Sequence, residues 1–165
     1  MSGYFALDPR PLLPEDRQGT RVLLMGTLGV TPYIDRALEV LELAERGTND
    51  PEHRALVVAR DGTVAGLALF GAIAGTAAGA KLHMAVLAPG IETEDVGARL
   101  MQAVTTAVRA NGARYLAAEL PDDPAVGATV ALLREQGFRD EARIADFYRD
   151  GVALTFWRLD LDRKE

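Results

Sequence analysis

The chain has 165 residues, 48% of them hydrophobic and 25% charged, with a formal net charge of −6. That length and mix fit one soluble globular domain over residues 1–165, and no apolar run is long enough to span a membrane as a helix. There are no cysteines, which excludes disulfides, thiolate metal sites and cysteine nucleophiles. The only serine is Ser2, so a G-x-S-x-G nucleophile is excluded too. Lysine occurs only at positions 81 and 164, and an acidic chain without a basic block is a poor nucleic-acid binder. The opening MSGYFALDPR lacks the basic-then-apolar order of a signal peptide. A cytoplasmic location without a membrane partner is the resulting expectation.

Residues 4–12 read as a first strand that Pro9 and Pro11 confine to an edge. Glu15 and Asp16 open a helical stretch carrying Val22, Leu23, Leu24, Met25 and Leu28, with acids in the first turn to suit the helix dipole. Thr31-Pro32 reads as an N-cap followed by proline at the first helical position, leading a helix with Ile34, Leu38, Leu41 and Leu43 that ends near Gly47. The period then changes. Residues 54–60 and 63–75 read as strands joined at Asp61-Gly62, a tight hairpin signal. GTAAGA is a small-residue turn, and 80–88 is another apolar strand.

From Thr93 to Asn111, Val96, Leu100, Met101, Val104 and Val108 share one helical face, and Asn111-Gly112 stops it. Residues 114–120 form a strand. Asp123-Pro124 starts a last helix that ends at Gly137, and 139–148 and 151–161 make a final hairpin. The order β, α, α, β, β, β, α, β, α, β, β places one strand–helix–strand unit between antiparallel strands. That predicts an α/β (or α+β) domain, with a mixed but mostly antiparallel sheet of about seven strands flanked by about four helices.

This order resembles the GNAT superfamily of acetyl-CoA-dependent N-acyltransferases, over nearly the whole chain from Tyr4 to Leu161 and most strongly from Ala80 onward. Four stretches carry the resemblance. In the strand, loop and helix over 80–108, Pro89 stands at the family's proline and Val96-Gly97 at the end of its Q/R-x-x-G-x-G/A loop. LLREQGF (132–138) resembles the family's helix-to-strand corner, AAELP (117–121) a strand end that carries a glutamate, and ADFYRDGVALTF (145–156) the last hairpin. The chain departs from the pattern at Glu92, where glutamine or arginine is expected, at Asp95, where a glycine is expected, and at Leu133, where a tyrosine is frequent.

The resemblance implies acetyl-CoA as co-substrate, no metal, and direct attack of a primary amine in a ternary complex. It also implies a slot between two splayed strands. Main-chain groups of Ala85, Val86 and Leu87 would hold the pantetheine arm there, with Val96, Gly97, Ala98 and Arg99 at the pyrophosphate. Glu119 maps to a general base and Tyr148 to the acid that protonates the thiolate, a role closed to Leu133. His83 maps to the acceptor cleft. Each residue also has a plainer reading: Glu119 as a surface carboxylate paired with an arginine, Tyr148 as a packed hairpin tyrosine, His83 as a satisfied core residue. The acceptor is a small-molecule amine or a protein amine, and a homodimer is left open.

Glu92, Glu94 and Asp95 set the main conflict. A carboxylate ~5 Å from a phosphate charge repels it by about 3 kcal/mol at an effective dielectric of about 20. Backbone N–H groups at a helix start still attract an anion if those side chains splay outward. Acids in a first turn also make an ordinary helix start. On that footing the rival reading is a GNAT-fold protein without catalysis that binds a ligand or a partner protein. His53 and His83 lie far apart in sequence without H-E-x-x-H spacing, so no metal is expected.

Overall fold

The switch from helical to strand-like periodicity near residue 50 marks where the sheet is laid down. The computed structural model describes residues 8–29, 31–47, 49–90 and 94–161. Its elements are β1 (Arg10–Pro11), α1 (Arg17–Leu28), α2 (Tyr33–Arg46), β2 (Arg54–Arg60), β3 (Thr63–Ala72), β4 (Gly79–Leu87), α3 (Glu94–Ala110), β5 (Tyr115–Pro121), α4 (Gly127–Glu135), β6 (Arg139–Arg149) and β7 (Val152–Asp160). This is the order expected from the sequence. The seven strands form one sheet, β1-β2-β3-β4-β5-β7-β6, in which only the β4–β5 pair is parallel. Leu24 and Leu41 of the first two helices, Leu69 and Phe70 of β3, Leu100 of α3 and Leu133 of α4 lie in one core cluster. Among the described residues, no helix is long and apolar enough to cross a membrane.

Local chemistry accounts for most boundaries. Asp61 and Gly62 both take positive φ (49° and 77°), the twist that a two-residue hairpin between right-twisted strands requires. Asp123 caps the turn before α4 by accepting the Ala125 N–H at 2.9 Å. After α4, Gly137 takes φ +88° and the Phe138 N–H returns to the Leu133 carbonyl at 3.0 Å.

Four expectations are corrected. The first strand is shorter than 4–12: only Arg10 and Pro11 pair with β2, since proline has no N–H to extend a ladder, while residues 4–7 lie outside the described residues. β3 stops at Ala72, and the chain turns through Gly75 at φ +80°. Val22 and Met25 are exposed at 63% and 58%, because apolar residues so closely spaced cannot share one face of α1 and Leu23, Leu24 and Leu28 take the buried one. Thr31 does not cap α2: Pro32 already has helical backbone angles at the N-cap, the hydroxyl stands one residue too early, and Thr31 Oγ1 is buried without a partner. Thr93, where the helix was expected to begin, lies outside the described residues.

Candidate active site

β4 and β5 pair over only three positions, Gly79 to Lys81 against Tyr115 to Ala117. Beyond them the strands part and leave a wedge. The other edge of β4 carries a bulge. There the register steps from Leu69 opposite Met84 to Phe70 opposite Leu82, and His83 is the extra residue. Such a bulge bends a strand and re-aims its side chains.

The Ala88 N–H bonds the Ala65 carbonyl at 2.8 Å. Antiparallel alternation therefore turns the main chain of Val86 toward β3 and that of Ala85 and Leu87 toward the wedge. Of the three main-chain candidates, Ala85 and Leu87 face the opening and Val86 does not. The Ala85 carbonyl accepts the buried Thr129 hydroxyl at 2.8 Å, so α4 closes that part of the wedge.

At the wedge mouth lies a pocket of about 300 Å³, whose lining includes Tyr33, Arg36, Lys81, His83, Glu119 and Tyr148. It brings together all three side chains singled out from the sequence. Glu119, on β5, is 43% exposed, and its Oε2 accepts from Lys81 Nζ at 3.2 Å. The expected surface pairing is real, but the partner is a lysine on the neighbouring strand.

His83 Nε2 lies 3.2 Å from the Glu52 carbonyl, which assigns the proton to Nε2, and its ring stacks on His53 with centroids 5.7 Å apart. Burial first, then the charges of Lys81, His53 and Arg36, push the His83 pKa down to about 4, against the opposing pull of the carbonyl bond. It is a neutral imidazole at pH 7.

Tyr148 reaches the pocket through an irregularity in β6. Ile144 pairs with Leu154 and Arg149 with Val152, so residues 145–148 oppose Ala153 alone. Asp146 holds the distortion at φ +52°, with its Oδ1 accepting the Gly151 N–H at 2.7 Å. The Tyr148 ring stands edge-on to Tyr33 and to Phe147, with centroids 5.4 and 5.1 Å away. Burial, the charge of Glu119 and the neighbouring Tyr33 push its phenol pKa up. It stays protonated, the state a proton donor needs. Leu133 is fully buried and takes no part.

Sequence reasoning missed Tyr33, Arg36 and Lys81. Tyr33 donates to Asp123 Oδ2 at 3.0 Å, and Arg149 reaches the same oxygen at 3.2 Å. This network joins α2, the start of α4 and β6 at the pocket mouth. A charged lysine in the otherwise apolar strand 79–87 was visible in the sequence, but its pairing with Glu119 depends on strand register.

Behind the wedge, Pro89 is followed by Gly90 at φ +77°. Glu92 lies outside the described residues, as does the side chain of Glu94. Asp95 bonds Arg99 Nε at 3.0 Å, so its carboxylate is neutralised along α3, and Arg99 also lies 3.8 Å from Asp8. Val96 and Gly97 are buried. A Cβ on Gly97 would come within 2.9 Å of Leu132 and 3.2 Å of Leu87, so the missing side chain lets α3 close on β4 and α4. Ala98, half-buried, follows on the same turn. With the Ala85 carbonyl taken by Thr129, the main-chain edge at Leu87 is the part that fits an extended amide-bearing arm such as pantetheine.

The mixed sheet splays at its one parallel pair, with an acid and a phenol lining the pocket at the opening. The family model described as "Acetyltransferase (GNAT) family" matches residues 24–138, and the chain belongs to that family. Among solved structures, it is similar to a protein described as a GNAT-family acetyltransferase from Desulfovibrio desulfuricans. The TM-score is 0.81 at 26% identity, covering 93% of this chain and 98% of that one. A protein from Salmonella typhimurium described as an acetyltransferase, solved with acetyl-CoA, matches with TM-score 0.71 at 20% identity over 94% of each chain. An aminoglycoside 6'-N-acetyltransferase from Enterococcus faecium matches with TM-score 0.74 at 14% identity over 95% and 98%. No curated protein matches the sequence.

Proposed function

We propose that the protein transfers the acetyl group of acetyl-CoA to a primary amine by direct attack within a ternary complex. The observation that carries this reading is the meeting of Glu119, Tyr148 and His83, from three strands, in one pocket at the mouth of the β4–β5 wedge. Acetyl-CoA, when bound, supplies the activated thioester.

The chain's own residues do the rest. Ala85 and Leu87 present main-chain groups along the wedge. Glu119 takes the proton of the attacking amine, directly or through a water, once Lys81 lets go of it. As the N–C bond forms and the C–S bond breaks, the Tyr148 phenol gives its proton to the departing sulfur. His83, neutral and tied to the Glu52 carbonyl, shapes the acceptor side without carrying charge. No covalent enzyme intermediate is needed, since holding both reactants in place supplies much of the acceleration.

The test is thiol release from acetyl-CoA with a panel of primary amines, with the products weighed by mass spectrometry. Amine-dependent release with an N-acetyl product is expected. Release that no amine stimulates would overturn the reading and favour a ligand-binding or protein-interaction role.

A further inference from the structure

The acceptor pocket has an unusual charge balance. Among its lining residues Glu119 is the only acid, against two cations, Lys81 and Arg36. Lys81 pairs with Glu119 across the strands at 3.2 Å, and Arg36 gives one nitrogen to Glu39 a turn further along α2 at 2.7 Å. Both cations are felt inside the pocket, where they help keep His83 neutral. Within the lining itself, an acceptor bearing several ammonium groups would find a single carboxylate, already held by Lys81. A zwitterion meets the reverse of itself. Its ammonium takes Lys81's place on Glu119, and its carboxylate takes the lysine that Glu119 releases, so one ion pair is exchanged for two.

The rest of the wall is aromatic and aliphatic. Tyr33, Phe147 and Tyr148 stack edge-on over it, and the Phe147 ring is 55% exposed at the mouth. Those rings offer cover to an apolar side chain. The pocket volume of about 300 Å³ is at the small end of ligand sites.

We infer that the amine accepted here also carries a carboxylate, and is a small α-amino acid with an apolar or aromatic side chain. This rests on the acetyltransferase reading above. Lys81 is the residue that reads the carboxylate, with Arg36 at the rim.

The experiment compares kcat/KM for phenylalanine and methionine, for the amines left when their carboxyl groups are removed, and for spermidine. Each amino acid should exceed its decarboxylated counterpart by about tenfold or more, chiefly in KM, with spermidine the poorest. In Lys81→Met that ratio should fall toward one, and in Lys81→Arg it should largely survive. A ratio within one variant does not depend on how much of it folds. A decarboxylated amine or spermidine used as well as the amino acid would overturn the inference while leaving the acetyltransferase reading intact. So would an unchanged ratio in Lys81→Met. Acetylation of no amine at all would overturn that reading, and the inference with it.

Discussion

Glu119 and Lys81 sit 3.2 Å apart, and in the proposed mechanism that contact opens before Glu119 takes a proton. Glu119→Gln keeps the shape and removes the base, so kcat/KM should fall by about 10²-fold or more with the fold unchanged by circular dichroism. Tyr148→Phe removes the donor and should lower kcat by about 10²-fold, with the edge-on contact to Tyr33 retained. An unchanged kcat in steady-state assays would remove Tyr148 from the mechanism.

His83 leads to a different prediction. Its pKa is about 4 in the folded chain against an ordinary 6.5. Between those values the unfolded chain holds the extra proton, so stability falls as pH drops from 6.5 to 4 and this contribution then levels off. The loss reaches about 3 kcal/mol. Asp16, held below its ordinary 3.8 by the Arg10 hydrogen bond, adds its loss only under that value. Urea unfolding of His83→Gln should therefore lose less stability than the wild type between neutral pH and pH ~4.5. Equal losses would contradict the burial argument.

At the scale of elements, what was legible in the sequence was local. The Asp61-Gly62 hairpin, the Asp123 cap, the Gly137 stop and the 3.6-residue face of α3 each depend on residues within a turn or two, and the structure has them all. What was not legible depends on strand register. The His83 bulge, the distortion at 145–148 and the Lys81–Glu119 pair arise from residues brought together across the sheet, and no local pattern encodes them.

The β6 distortion gives an element-scale prediction. Asp146→Ala loses the bond to the Gly151 N–H and leaves an alanine at φ +52°. It should release Tyr148 from the pocket, lowering kcat while melting changes by only a few degrees. A normal kcat would show that Tyr148 does not need the distortion. Gly97→Val tests the closure of α3 on α4. A branched side chain forced against Leu132 and Leu87 should cost about 1–3 kcal/mol in chemical denaturation and weaken acetyl-CoA binding.

Over the whole molecule, the proposed function rests on one break in the sheet. Six neighbouring pairs hold seven strands together, and the single parallel pair is the one that opens. That opening places a main-chain edge beside an acid–phenol pocket, which explains how the chain can belong to the acetyltransferase family while departing from its pattern at Glu92, Asp95 and Leu133. Arg99 pairs with Asp95, and in the proposed mechanism main-chain groups line the wedge and Tyr148 takes the role of the tyrosine absent at Leu133.

We propose that this wedge holds acetyl-CoA despite the acids at the start of α3. Titration calorimetry with acetyl-CoA at moderate salt tests it most directly. One site per chain with micromolar affinity is expected, and absence of binding at millimolar acetyl-CoA would rule the wedge out as the cofactor site.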